Sequence, residues 1–294
     1  MVPQETDVLI VGAGPTGLVL AATLQQAGLR PVIIDRLAAG QNTSRAAVIH
    51  AHTLEVLERL GVTGALERRG LQLTRFALRD HDKALLELDF STLPSRYAQI
   101  LMIPQDETEA ILADRLASLG GTVLRGIAAT RIERDATGAV AHVDTPEGPR
   151  TIRARYVVGG DGMHSVVREA AGIAFDGESY AGSFVLADVH MDWPLSAEVT
   201  LFFSPEGMGV VVPLPGHRYR IVAPVGDAPE APDAAFVQAL LDARGPRKVP
   251  GRVRDVLWSS RFRVHHRVAA RYRSGPFFVM GDAAHVHSPA GGQG

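Results

Sequence analysis

The segment Asp7-Val8-Leu9-Ile10-Val11-Gly12-Ala13-Gly14-Pro15-Thr16-Gly17 constrains this chain more than any other. Its apolar run lacks period-two alternation, so the strand it forms is buried on both faces, as in a parallel sheet. The glycines that follow are spaced for a tight turn into a helix. Gly12 permits the turn, Gly14 lets backbone amides approach an anion, and Gly17 lets the helix pack closely. Leu18 to Ala27 is helical in composition and meets Gly28 as a C-terminal cap. A second apolar strand, Arg30-Pro31-Val32-Ile33-Ile34, then ends on Asp35, eighteen residues after Gly17. A carboxylate there can accept both hydroxyls of an adenosine ribose, and the helix N-terminus faces a pyrophosphate. The unit is βαβ and its ligand is a dinucleotide.

Composition narrows the chemistry. Thirty basic against thirty-two acidic residues leave a net charge of -2, which gives no electrostatic reason to expect nucleic acid or an anionic membrane. The partner is expected to be small. With no cysteine, the chain has no disulfide, thiolate nucleophile, CxxC pair or iron-sulfur ligand set, so redox chemistry here needs a cofactor without cysteine ligands. The first apolar run is short and follows Glu5 and Asp7 rather than a basic region, unlike a signal peptide. No apolar run approaches the roughly 18 to 20 residues needed to cross a bilayer, so the chain reads as cytoplasmic.

The 294 residues are enough for two domains. A helix is expected over Asp106 to Gly120, with Asp106 and Glu109 as a capping box and Ile111, Leu112, Leu116 and Leu119 on one face. Thr122-Val123-Leu124 is a further strand. Asp135 to Pro149 reads as a hairpin with Val140 to Val143 as one arm, and Ile152 to Val158 is an apolar strand ending at Gly159-Gly160-Asp161-Gly162. From Asp176 the texture becomes short β-branched or aromatic runs, namely 184–189, 199–203, 208–212, 219–223 and 253–264. These are separated by Pro and Gly and interrupted by one helical stretch, 234–243, as in an antiparallel sheet. Phe277 to Met280 returns to buried parallel-strand texture before Gly281-Asp282. The expected class is α/β: a Rossmann-like dinucleotide domain (1–175) with an inserted antiparallel-sheet domain (176–275) and a return to the first (276–294).

Two further motifs follow apolar strands: Gly159-Gly160-Asp161-Gly162-Met163-His164-Ser165-Val166-Val167-Arg168 and Gly281-Asp282-Ala283-Ala284-His285 continuing to Ala290-Gly291-Gly292-Gln293-Gly294. With Gly12 to Gly17 they resemble, in order, the three fingerprints of the group A flavoprotein monooxygenases, the FAD-dependent aromatic hydroxylases with a p-hydroxybenzoate hydroxylase-like fold. Ser44-Arg45-Ala46 followed by Thr53-Leu54-Glu55, and Gln105, are similar to further family elements near the flavin. The resemblance spans essentially the whole chain, and it implies that Gly294 falls inside the third fingerprint, making this an N-terminal portion. His52 and Ser288 depart from the family's frequent Arg and Pro.

The resemblance implies FAD as cofactor and NADPH or NADH as reductant. The reaction it implies is hydroxylation of a small phenolic or polyketide-like aromatic by O2 through a C4a-hydroperoxyflavin. The cofactor would be held by Gly12, Gly14, Gly17, Asp35, Arg36, Arg45, Gln105, Asp161, Gly281, Asp282, Pro289, Gly291 and Gly292. By that likeness Asp35 takes the adenosine ribose, Asp161 lies near the pyrophosphate, Asp282 takes a ribityl hydroxyl, and backbone from Pro289 onward faces the flavin. No catalytic side chain is assigned, because the cofactor carries the reactivity. No membrane partner is implied, and the state expected is monomer or homodimer.

Other readings remain open. A halogenase or reductase shares these motifs, although the two tryptophans, Trp193 and Trp258, stand outside any GWxWxIP element. A plain NAD dehydrogenase leaves the Asp161 and Asp282 motifs idle, and a non-catalytic FAD-binding fragment is a third possibility. His285 and His287 lack a third metal ligand at helical spacing, so no metal is expected. His164 reads either as a residue serving the nicotinamide or as a solvent-facing loop residue. Arg263, His265, His266 and Arg267 read as a solvated strand face, and Asp233 and Asp242 as surface charges. Phe184, Phe202, Phe203, Met208 and Trp258 are candidates for a pocket wall, with core packing the stronger reading for any one of them.

Overall fold

A computed structural model describes residues 2–40, 47–195 and 197–288, with backbone alone at 179–181. The opening segment folds as its apolar pattern requires. Strand β1 (Glu5–Val11) is buried along its second half, with Leu9 and Ile10 fully buried, and runs into helix α1 (Pro15–Gln26) and strand β2 (Val32–Asp35). The helix starts at Pro15 rather than Leu18. Proline at the first helical position has a pre-set φ and lacks only an amide that the helix would leave unpaired anyway. Gly28, at φ 82°, follows the last turn, and its amide donates to the Gln25 carbonyl.

Five strands pair in parallel in the spatial order Phe277–Val279, Gly148–Gly159, β1, β2, Val123–Arg125. Chain order reverses between β1 and Gly148–Gly159. That reversal opens a crevice beyond the carboxyl ends of those two strands. One face of this sheet packs on α1 and on the helix Gln105–Ser118, joined by Ile10, Leu18, Ile33, Ile111, Leu112 and Leu116. The expected hairpin is a three-stranded meander, Ala128–Arg134, Ala139–Thr145 and Gly148–Gly159, whose Ile132, Ala141 and Ile152 help cover the other face.

A second eight-stranded sheet runs in the order His285–Val286, Arg252–Ala269, Phe175–Asp192, Arg218–Val225, Gly207–Leu214, Val199–Ser204, Arg75–Asp80, Lys83–Asp89. All pairs are antiparallel except Val199–Ser204 with Arg75–Asp80. Its last two strands come from residues 75–89, well ahead of 176, where the change of texture begins. Long-range pairing recruits them, which a local pattern does not report. The helix Ala234–Arg244 covers one face through Val237 and Leu241, against Ala187, Val189, Phe202 and Ile221. On the other face Val199, Val212 and Leu214 pack on Ala47 and on Leu73, Ile100 and Met102 of a small three-stranded sheet. The strand Ile100–Met102 of that small sheet leads directly into Gln105.

Several expectations change here. Pro104, which has no side-chain acceptor, is the N-cap of the helix Gln105–Ser118, so Asp106 and Glu109 form no capping box and Gln105 is the first helical residue rather than a loop residue. Asp233 is not merely a surface charge: its Oδ1 caps Ala234–Arg244 by accepting the Phe236 amide at 2.8 Å. Phe202 belongs to the core under that helix, whereas Phe203 is exposed and Phe184 stacks on Phe262 across strands at 5.8 Å. Along Arg252–Ala269, Arg263 and His266 are exposed but Arg267 is half-buried, so the basic cluster is only partly a solvated face. Among the described residues no helix is long and apolar enough to cross a membrane.

Candidate cofactor site

The crevice at the strand-order reversal is a cleft of ≈ 290 Å³. Its lining brings together Gly12, Gly14, Asp35, Arg36, Gln105 and Asp161. The three glycines have distinct jobs. Gly12 has φ 100°, and a Cβ on it would stand 2.3 Å from the Gly160 carbonyl oxygen, so the first and second motifs interlock there. A Cβ on Gly17 would meet the Gly12 oxygen at 2.0 Å; the third glycine thus lies under the turn and lets helix and loop close up. Gly14 is different. Nothing comes within 4 Å of where its Cβ would be, and it is the N-cap of α1 without any side-chain cap. An uncapped helix start with amides facing open space is what a pyrophosphate needs, so these residues fit the dinucleotide.

Asp35 sits where β2 ends, but both carboxylate oxygens already accept backbone amides, Ala13 N at 2.7 Å and Leu37 N at 2.8 Å. It therefore holds the glycine turn against β2 as well as facing the cleft. An ionised carboxylate has about four acceptor positions, which leaves capacity for a ribose hydroxyl. Asp161 is similarly engaged: its Oδ2 accepts the Val166 amide at 2.8 Å, at the start of the short helix Val166–Ala170 that Ser165 caps. Burial pushes its carboxyl above the usual range, opposed by the Ser165 hydroxyl and the Val166 and Val167 amides.

Arg168 closes the second motif from below. It is buried, donates to the Met163 carbonyl at 2.8 Å and the Ala283 carbonyl at 3.0 Å, and lies 3.9 Å over the Phe175 ring. It thereby ties the second motif to the third. Gly281, at φ 57°, abuts the Thr16 side chain, 2.8 Å from where a Cβ would stand, which brings the third motif to the start of α1. Neither Gly281 nor Asp282 reaches the lining of the cleft. Arg45, Pro289, Gly291 and Gly292 lie outside the described residues.

The lining also contains residues that sequence reasoning did not place there: Gly40, Glu109, Arg125, Ile127 and Ala129. Glu109, expected at a helix cap, instead turns into the cleft and accepts from the Gln105 amide at 2.8 Å. Burial holds its carboxyl above the usual value, countered by the Gln105 hydrogen bond and the Arg125 charge, while Asp35 and Asp106 add repulsion. Arg125 ends the parallel strand beside Asp35, where ligands bind, but that strand pairing is known only from the structure. His164 is also in the lining. Among the described residues no group of three or more potential ligands could hold a metal ion.

Comparison with known proteins agrees with this geometry. The FAD binding domain family matches residues 5–294. The 12-dehydrotetracycline 5-monooxygenase/anhydrotetracycline 6-monooxygenase of Streptomyces rimosus is 37% identical over 98% of this chain and 59% of its own length. Pentachlorophenol 4-monooxygenase of Sphingobium chlorophenolicum is 34% identical over 99% of this chain and 55% of its own. The chain thus spans somewhat over half the length of these curated relatives. The crystal structure of p-nitrophenol 4-monooxygenase from Pseudomonas putida superposes with a TM-score of 0.88 at 25% identity, over 99% of this chain and 76% of that one. With two motifs lining a switch-point cleft and the start of the third tied to them, this chain belongs to the FAD binding domain family and has the p-hydroxybenzoate hydroxylase-like fold of the flavoprotein aromatic hydroxylases.

Proposed function

We propose that the chain binds FAD in the switch-point cleft and serves an FAD-dependent monooxygenase that hydroxylates a phenolic or polyketide-like aromatic, with NADH or NADPH as reductant. The observation that carries this reading is the open, uncapped N-terminus of α1 at Gly14, framed by Gly12, Gly17 and the Asp161 segment. The names of the relatives, an anhydrotetracycline monooxygenase and a pentachlorophenol monooxygenase, support a phenolic or polyketide-like aromatic substrate.

When bound, FAD supplies the redox chemistry, taking a hydride from NAD(P)H and letting O2 give one oxygen atom to the ring and the other to water. The chain's part is to bind and orient. The α1 amides beyond Gly14 take the pyrophosphate, with Asp161 beside it. Asp35 and Arg36 take the adenosine end. Gln105 would serve the flavin side and Asp282 beside Gly281 a ribityl hydroxyl, and Arg45, Pro289, Gly291 and Gly292, outside the described residues, are assigned to the flavin by their place in the motifs alone. Residues 1–175 and 276–294 form the FAD-binding domain in this reading, and 176–275 supply most of the sheet that covers the aromatic. The protein is read as a cytoplasmic monomer or homodimer. His164, exposed at the edge of the cleft, is the candidate for the nicotinamide cofactor in this reading.

The test is aromatic-stimulated NAD(P)H oxidation by the FAD-loaded protein, with oxygen uptake and product mass followed together. A product heavier by one oxygen is expected. NAD(P)H consumption that yields only peroxide, whatever aromatic is supplied, would contradict the hydroxylase reading.

A further inference from the structure

The adenosine end of the cleft carries a charge arrangement that the glycine motif does not explain. Arg125 ends the strand Val123–Arg125 as the register partner of Asp35 on the neighbouring parallel strand. The chain then turns at Gly126, with φ 69°, and is pinned to the end of β2 and the loop after it by Ile127 N donating to the Asp35 carbonyl at 2.9 Å and Gly126 N to the Leu37 carbonyl at 3.2 Å. This fixes Arg125 at the level of Asp35 on the rim, half-buried and lining the cleft with Arg36, Ile127, Ala128 and Ala129.

Among the described residues its guanidinium has no hydrogen-bond or ion-pair partner. Arg168, Arg220 and Arg244 are each held by two or more hydrogen bonds, whereas none, and no ion pair, holds Arg125 among the described residues; half-buried Arg267 shares that state, but of the two only Arg125 lines the cleft. It acts on Glu109 through space only. The described lining carries three carboxylates, Asp35, Glu109 and Asp161, against two fixed cations, Arg36 and Arg125. A pyrophosphate adds two negative charges to that balance. A planar guanidinium stacks on an aromatic base and bonds phosphate oxygens, so it serves a nucleotide in a way that a carboxylate cannot.

We propose that Arg125 is a cofactor-selecting residue, contacting the adenosine monophosphate half of FAD so that the cleft prefers FAD to riboflavin. This rests on the reading that the cleft takes FAD. The 294-residue chain and its Arg125→Met and Arg125→Lys variants are titrated with FAD and with riboflavin by flavin fluorescence. The Met variant should lose about tenfold in FAD affinity. Its riboflavin affinity should move less than twofold, and Lys should recover part of the loss. A change in FAD affinity below twofold, or equal losses for both flavins, would overturn the proposal, the second result meaning that Arg125 acts through the fold. Should the variants not fold, the wild-type chain gives the same answer. ADP is expected to shield Arg125 from a guanidine-directed dicarbonyl reagent, read by peptide mass, while riboflavin is not; equal labelling with and without ADP overturns the proposal. A wild-type chain that binds neither flavin nor ADP removes the FAD reading itself, which sets that failure apart.

Discussion

Gly14 and Gly17 look alike in the sequence and do opposite things in the structure. A methyl group on Gly17 collides with the Gly12 oxygen, whereas one on Gly14 enters open space, which the proposed function assigns to the pyrophosphate. Gly17→Ala is therefore expected to destabilise the fold by more than about 3 kcal/mol, at the high end of single substitutions. Gly14→Ala should leave the melting temperature of the flavin-free chain near wild type while weakening FAD retention through gel filtration. Equal melting temperatures for the two variants would contradict this division. Glu109 gives a prediction in pH. Its carboxyl is held above 4.5 by burial, so the stability it contributes is fully present below pH 4.5 and is lost as pH rises through the higher folded-state value. Glu109→Gln removes that loss. The flavin-free variant should melt above wild type at pH 7, with the difference shrinking as pH falls below 4.5; a difference independent of pH would rule out a buried charge as its source. The three glycines were legible because their spacing is local. Glu109 was not, because the same Asp-x-x-Glu spacing serves a cap or a cleft depending on where the helix starts.

Helices and strands show the same division one level up. Proline at positions 15 and 104 placed two helix starts, at N1 in one case and at the cap in the other, which local chemistry explains once seen. The long strand Phe175–Asp192 was visible only as 184–189, because its polar first half gains its pairing from Arg252–Ala269. Across the second sheet, Asp188 and Arg220 face each other in register and form a bidentate pair, Nε to Oδ1 at 2.7 Å and Nη2 to Oδ2 at 2.9 Å, with Arg220 buried. Removing one partner strands a buried charge. Asp188→Leu alone is expected to cost about 3–5 kcal/mol, while Asp188→Leu with Arg220→Met should recover most of it. Urea unfolding of the single and double variants measures this, and a double variant no better than the sum of the singles would refute it.

At the scale of the whole molecule, the second and third motifs are held together by Arg168, more than a hundred residues from the Ala283 carbonyl it binds. Arg168→Met keeps the length and the apolar stem but leaves the Ala283 and Met163 carbonyls without this donor. It should cost about 2–4 kcal/mol in unfolding and weaken FAD and riboflavin equally, in contrast to Arg125→Met. Preserved riboflavin affinity in that variant would show that the two motifs do not depend on this tie. The sequence by itself determined the βαβ start, the dinucleotide site, the alternation of α/β and sheet textures and the family, since each rests on residues a few positions apart whose turn, cap and burial preferences are local. Tertiary structure alone decided that residues 75–89 complete the second sheet, that Glu109 and Arg125 face the cleft, and that the cleft lies where strand order reverses. Those facts depend on which distant segments pair, and pairing is fixed by the summed burial of the whole fold rather than by any one stretch of it.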